Sequence, residues 1–547
     1  MSSVPRILIV GAGPTGLAFT LCLAQSGIPV RIIDRLDHPR IGQRGAALQP
    51  RIFELLDVLG VTSDLLKEAV PLQIPLRYDM PGGKKPVEVM SIPSRERSSP
   101  NIPYPNLMML GQDRLEAILR HHIASRYGIS VEFGTALEAF EQTGDRIVAH
   151  LVKRQDGIAV EEIQTVHWLI GADGPGSGIR KQLGIAYSGE TRDEQKFIIG
   201  DVHVHTSLDR HCSHRWGNFE VQGIGLRPSE RYDDTLMNFI VGGSDVPHER
   251  LMADHAALLD YMSNNIGISN FAFGELVQID SWRPNIRKAS KLSVGRVLIA
   301  GDAAHIHCTS GGQGIVTCMQ DAMNLSWKLS LVEHGLSPIT LLSTYDEERL
   351  PVITDMLSVT TTTFDQIVSG QPETWTQELL TLRQFGVNYR WSSIVHDDKP
   401  SEYPVGTYGA FSANPQAGDR APDAPNLIDS VTGLATSVLK IMAYSQHTAL
   451  IFVNSTDSAL FFLEELKSAP QGTVQSVIIL PRSPSLVFDQ LQSHAPVLVD
   501  SECHAYNTYA PGEGRLVAIL RPDGIIGALT STGWGIREYL SRIFVMQ

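Results

Sequence analysis

The sequence predicts an α/β fold: a Rossmann-type dinucleotide-binding unit with a β-rich insert, followed by a small α/β domain. Three observations point to it. A buried-strand pattern runs into Gly11-Ala-Gly13-Pro-Thr-Gly16 and then a helical pattern, with Asp34 ending a second strand about twenty residues on. Two further short apolar runs, residues 168–170 and 297–300, also lead directly into glycine and aspartate. Residues 187–282 instead alternate short β-like runs with polar turns and lack phosphate-binding signatures.

Residues 6–10 are apolar and β-branched, as a strand buried on both faces requires. Pro14 stands where the first helical turn tolerates a missing N–H. Leu17, Leu21 and Ala24 recur at helical spacing, and Gly27 suits a helix C-terminus. Residues 30–33 form the second strand. Residues 112–127 put Leu115, Ile118, Leu119 and Ile123 on one helical face. In the insert, residues 198–205 and 236–241 read as strands. Cys318, Met319, Ala322, Leu325, Leu329 and Val332 stripe a helix that Gly335 ends. Pro, Gly, Asp and Asn crowd residues 396–429 and mark a linker. Beyond it, residues 448–453, 474–480 and 515–520 read as strands, and 457–467 and 535–543 as helices. The boundaries that follow are 1–75, 105–186 and 283–395 for the dinucleotide-binding domain, and 76–104 with 187–282 for the β-rich domain. Residues 396–417 are the linker and 418–547 the last domain.

At about 150 residues per unit, 547 residues make three or four folding units. Apolar content of 43% excludes disorder of the whole chain. A net charge of −14 without a basic block excludes nucleic acid as a partner. The cysteines Cys22, Cys212, Cys308, Cys318 and Cys503 are widely spaced, with no C-x-x-C, which argues against disulfides and a Cys-based zinc site. The His203, His205, His211, Cys212 and His214 group matches no standard metal spacing, so no metal is expected. No apolar run approaches the ~20 residues of a membrane span, and no targeting signal is visible at either end. The expectation is a soluble cytoplasmic protein.

The glycine motifs carry the chemistry. Gly11 permits the tight turn, Gly13 lets the backbone approach a pyrophosphate, and Gly16 lets helix and strand pack closely. The helix N-terminus then faces the pyrophosphate, and Asp34 can take the adenosine ribose hydroxyls. The Asp34 charge disfavours a 2′-phosphate; the motif alone fits FAD or NAD. In Gly301-Asp302-Ala-Ala-His305, a carboxylate at a strand end suits a polyol such as ribityl. The turn Gly311-Gly-Gln-Gly314 opens a helix and can support negative charge on a reduced isoalloxazine. In Gly171-Ala-Asp173-Gly-Pro-Gly-Ser177-Gly-Ile-Arg180, an ion pair between Asp173 and Arg180 would fix two loops. Each of these last blocks reads equally as a turn that only packs.

The three blocks, in this order, resemble the group A flavoprotein monooxygenases, the family of p-hydroxybenzoate hydroxylase and phenol hydroxylase, over essentially the whole chain. The resemblance implies that Gly11, Ala12, Gly13, Pro14, Thr15 and Gly16 form the dinucleotide fingerprint. It implies that Asp34, with Arg35, follows the second strand where many members carry Glu. Arg44, with Gly45, falls on the flavin-loop arginine, and Gln112 on an FAD contact. Asp173 and Arg180 fall on a motif linked to FAD and NAD(P)H, and Asp302 on the ribityl-binding motif. The flavin-side turn spans residues 311–316 and contains Gly312, Gly314, Ile315 and Val316. The last domain looks like the thioredoxin-like C-terminal domain of the phenol hydroxylase branch, redox-inert without C-x-x-C. The full expectation is a Rossmann-type FAD-binding domain with an inserted β-rich substrate domain and a C-terminal thioredoxin-like domain.

The family's chemistry follows as implication. FAD stays bound, and NADPH or NADH binds transiently. Reduced FAD takes up O2 as a C4a-hydroperoxide, which hydroxylates a small phenolic or aromatic substrate, with decarboxylative hydroxylation as a variant. A homodimer is a family expectation. The chain departs from the family at Cys308 and Thr309, where members usually have prolines, and at Val316, where many have Asn. Those departures keep open an alternative, a flavoprotein-fold isomerase or binding protein without redox turnover. A flavin halogenase would carry W-x-W-x-I-P, which Ser281-Trp-Arg-Pro284 does not match. Catalytic residues stay unassigned. His214, Arg215 and Tyr232 are in the right domain to meet a phenol or carboxylate. Trp216, Phe219 and Phe239 suit an aromatic pocket or the core alike. His305 and His307 flank the flavin-side strand end.

Overall fold

Four consecutive apolar residues make Ile7–Val10 a strand buried on both faces, inside a five-stranded sheet. It pairs in parallel with Val30–Ile33 on one side and Trp168–Gly171 on the other. Val297–Ile299 extends the parallel array, and Ser293–Val294 ends it antiparallel. The three strands that carry glycine motifs at their carboxyl ends are therefore neighbours, which puts all three motifs at one crevice. The computed structural model describes residues 5–43, 45–83, 85–89, 95–155, 157–230, 235–308, 310–368, 382–400, 406–408, 414–482, 488–512 and 516–546. Helix Pro14–Gln25 is buried along most of its length and packs on helix Gly314–Glu333. Gly335 follows that helix with a φ of 70° and ends it, as expected. A three-stranded antiparallel sheet, Thr135–Thr143, Arg146–Gln155 and Ile158–Val166, was not anticipated.

The insert is a seven-stranded sheet. Its order is Phe271–Trp282, Phe197–Thr206, Leu236–Gly242, Gln222–Pro228, Cys212–Asn218, Ile74–Tyr78 and Glu88–Val89. Alternation gives this sheet two faces. One carries Val202, Trp216, Ile224, Met237 and Phe239 against helices His248–Ala253 and His255–Ile266. The other meets the first domain.

The last sheet has eight strands and includes His396–Asp397, which pairs in parallel with Ile526–Thr530. Those two residues were expected in the linker. Their backbone instead completes the sheet edge.

Buried charges bind this C-terminal region to the first domain. Arg521 donates two hydrogen bonds to the Glu348 carboxylate, at 2.6 and 2.9 Å, and Lys328 a third at 2.8 Å. Arg420 grips the Glu54 carboxylate at 2.6 and 2.7 Å, with Arg51 at 2.7 Å on the same group. Burial acts to raise the Glu348 pKa, but Arg521 and Lys328 overcome it and hold the carboxyl well below its ordinary 4.5. Among the described residues, no helix is long and apolar enough to cross a membrane, and all five cysteines are free thiols.

Removing Glu348 leaves two buried cations without their shared partner. Glu348→Gln is expected to cost roughly 3–5 kcal/mol near neutral pH. Because the folded pKa lies below the unfolded one, the carboxylate's contribution is complete above about pH 4.5 and is lost as pH falls below it. Thermal melts across pH should show a steeper acid decline in wild type than in Glu348→Gln.

Candidate cofactor and substrate site

The three motifs touch. Gly11 has a φ of +102°, and a Cβ there would stand 2.2 Å from the Ala172 carbonyl oxygen. Gly301 has a φ of +58°, and its Cβ would stand 2.3 Å from Thr15 Oγ1. Only glycine lets these loops approach so closely. Asp34 braces the first turn: its carboxylate accepts from Ala12 N–H at 2.8 Å and from Leu36 N–H at 2.9 Å. Each oxygen keeps acceptor capacity for a ligand hydroxyl. Arg35 beside it is exposed. Pro14, Thr15 and Gly16 open a helix with no side-chain cap and no acidic residue in its first turn. Helix Gly314–Glu333 starts the same way. Both leave N–H groups at the crevice for an anion.

Asp173 Oδ2 accepts from the N–H groups of Gly178 and Ile179, at 2.8 and 3.3 Å, capping the short helix Gly178–Gln182. Its Oδ1 is buried without a hydrogen-bond partner among the described residues. The expected Asp173–Arg180 ion pair does not form, because Arg180 is engaged elsewhere. Its guanidinium donates to the Ala303 carbonyl at 2.7 Å and the Pro175 carbonyl at 3.0 Å, and lies 3.7 Å over the Tyr187 ring. The Tyr187 hydroxyl in turn donates to the Asp302 carbonyl at 3.1 Å. Arg180 and Tyr187 thus brace the turn that presents the exposed Asp302 side chain.

Behind that turn lies Asp321, fully buried in helix Gly314–Glu333. It accepts from the Gly301 N–H at 3.1 Å and from Arg349 Nε at 2.8 Å, and His305 Nε2 lies 2.7 Å away. Burial acts to raise the Asp321 pKa, but Arg349 and His305 hold it below the usual carboxylate range. His305 is therefore a structural partner rather than a substrate contact. His307 is kept neutral, its pKa lowered to about 4 by burial, and its ring faces Gly314. Burial pushes the Cys308 thiol up to about 12, so it stays protonated. Val316 is buried, and Thr309 lies outside the described residues. Gly45, Gln112 Oε1 and Ile315 meet at the opposite wall, and Gly312 packs on Ala47. Arg44 lies outside the described residues.

The loop before Arg44 is tied to the insert. The Gln43 N–H donates to Asp201 Oδ2 at 2.7 Å, Gln43 Nε2 donates to Glu230 at 3.0 Å, and Arg227 donates to Gln43 Oε1 at 2.5 Å. Asp201, Asn238 and Arg227 stand in register across three strands on one face. Sequence reading missed this set; its one visible signal is alternation of charged and apolar residues within strands.

That register decides among the candidate substrate residues. His214 aligns with Leu226 and Phe239 on the face packed against the helices. It lies 2.9 Å from the Tyr78 hydroxyl and is 2% exposed, so it is core rather than a catalyst. Trp216 and Phe239 share that core. Arg215 and Phe219 belong to the opposite side, with the Arg215 guanidinium 4.5 Å over the Phe219 ring. Phe219 continues into an aromatic group with Phe197, Trp282 and Phe364. Tyr232 lies outside the described residues. No group of three metal-ligating side chains is assembled among the described residues.

Residues 5–360 match the family described as FAD binding domain. A flavin-dependent monooxygenase of Mycobacteroides abscessus is 31% identical over 552 residues, spanning 98% of this chain and 99% of that protein. The chain belongs to the FAD-dependent aromatic monooxygenases. This monooxygenase is also 27% identical to the pentachlorophenol 4-monooxygenase of Sphingobium chlorophenolicum, over 96% of this chain and 94% of the other. Its fold matches the crystal structure of the flavin-dependent monooxygenase PieE in complex with FAD and substrate, with a TM-score of 0.80 and 21% identity. That match covers 99% of this chain and 98% of the other. The alternative without redox turnover, motivated by Cys308, Thr309 and Val316, is not favoured by these relatives.

The residues present fit FAD. Open space faces Gly13, Gly174 and Gly176, where a Cβ would meet nothing within 4 Å. Two helices start without side-chain caps, Asp173 Oδ1 is an unused acceptor, and Asp302 is exposed beside them. The open position of Gly13 separates binding from folding. Gly13→Val should yield a folded, colourless monooxygenase whose apoprotein melts with wild-type apoprotein. Gly11→Ala, strained in φ and against Ala172, should instead lose more than about 1 kcal/mol of stability. Flavin absorbance and apoprotein melting curves check both.

Proposed function

We propose that this monooxygenase consumes NADPH or NADH and hydroxylates a phenolic ring. Contact between the three glycine motifs at one crevice, opposite the inner face of the substrate sheet, carries this reading. Bound FAD supplies acceptance of two electrons from the nicotinamide and activation of dioxygen. The chain's residues do the rest. The N-terminus of helix Pro14–Gln25 takes the pyrophosphate, Asp34 the adenosine ribose, and Asp302 the ribityl chain. Asp173 Oδ1, as an acceptor, takes a further hydroxyl or amide N–H of the nucleotide. The uncapped N–H groups of helix Gly314–Glu333 favour negative charge on the reduced ring. Neutral His307 and protonated Cys308 add no competing charge or nucleophile beside it. The aromatic group around Phe197 and Phe219 excludes water from the ring to be hydroxylated and orients it.

Turnover under heavy-isotope dioxygen is the test. One labelled oxygen atom in the product is expected, with consumption of one NADPH or NADH. Product carrying oxygen from water alone contradicts the proposal.

A further inference from the structure

A chain of side-chain amides runs behind the flavin-side turn and ends on one of its carbonyls. Arg349 Nη1 donates to Gln320 Oε1 at 3.3 Å, and Gln320 Nε2 donates to Gln384 Oε1. Gln384 Nε2 donates to Gln313 Oε1 at 2.6 Å, and Gln313 Nε2 donates to the Gly311 carbonyl at 2.8 Å. The direction is fixed at both ends. A guanidinium can only donate and a carbonyl can only accept, so no amide between them reverses without losing hydrogen bonds. Gln313 makes all four hydrogen bonds open to an amide. Its nitrogen also donates to the Leu382 carbonyl at 2.9 Å, and its oxygen also accepts from the Tyr408 hydroxyl. Gln49 Nε2 donates to the same Gly311 carbonyl at 2.5 Å. Gln49, Gln313 and Gln384 are each at most 1% exposed, so water does not compete for these bonds.

Gln384 supplies the middle link from 71 residues beyond Gln313. Its φ is 64°, a left-handed conformation uncommon for a residue with a side chain. Such a conformation persists where the surroundings over-determine it. A buried chain that starts on a cation also polarises each hydrogen bond along its length. Resting on the reading that this turn supports negative charge on the reduced ring, we infer that Gln384 is a positioning residue for the reaction. Acting through Gln313, it holds the Gly311 carbonyl in the protein interior. Bound flavin then meets the N–H groups that open helix Gly314–Glu333 and no competing carbonyl. Loss of the middle link frees the Gln313 amide to turn over, and with it the Gly311 carbonyl.

The test is the two-electron potential of the FAD-loaded enzyme, measured by anaerobic reduction against a dye of known potential. Wild type is expected to lie above free FAD. Gln384→Met has similar length and no amide. It should weaken the preference for reduced flavin about tenfold, a fall of about 30 mV. Gln384→Asn suits the left-handed backbone but is one methylene too short to reach Gln313. It should give the same fall with a melting temperature nearer wild type, and it serves where Gln384→Met does not fold. Tyr408→Phe removes one of two donors from the Gln313 oxygen and should lower the potential by less. Gln384 variants that melt lower yet keep the wild-type potential overturn the positioning role and leave the turn's own role standing. A wild-type potential no higher than that of free FAD overturns both.

Discussion

The Asp321 carboxylate joins its own helix to two other stretches of chain at one buried point. Gly301, His305 and Arg349 all converge on it. Gly301 opens the turn that presents Asp302, so the position of the acid proposed to hold the ribityl chain depends on a carboxylate twenty residues after Gly301. Such a charge survives burial because both carboxylate oxygens accept hydrogen bonds and Arg349 is itself satisfied by Tyr389 and the Thr317 carbonyl. The floor of the cofactor crevice is therefore rigid for an electrostatic reason.

The same logic extends outward. Glu348 and Arg349 are adjacent on helix Ser343–Val368. Arg349 reaches the crevice floor, and Glu348 reaches Arg521 in the C-terminal sheet. One helical turn thus ties the cofactor site to the last domain. On the other wall, Gln43 links the loop before Arg44 to Asp201 and Glu230 in the substrate sheet. That loop and the seven-stranded sheet therefore share hydrogen bonds.

The cofactor half of this site was legible because its signals are local. Strand, glycine turn and helix follow one another within about twenty residues, and the strands carry their motifs to adjacent carboxyl ends. The ion pair read between Asp173 and Arg180 does not form: one partner that takes its place, the Ala303 carbonyl, is distant in sequence, and the other, the Tyr187 ring, is brought over the guanidinium by the turn after the short helix. His214 and Arg215 could not be separated without knowing which face of their strand is packed; one residue of register puts one in the core and the other at the FAD domain. Asp321 and Lys328 did leave a trace. Both sit inside the apolar stripe of a helix, where a charge signals a buried partner. The strand at His396 left none, since its pairing is supplied by residues over a hundred positions away.

The decisive measurement is anaerobic reduction of the purified holoenzyme by NADPH, followed in the flavin band with and without a panel of phenols and hydroxybenzoates. The account predicts a bound flavin that bleaches much faster when one of these aromatic ligands is present. A bound flavin that no nicotinamide reduces, whatever the ligand, would contradict it.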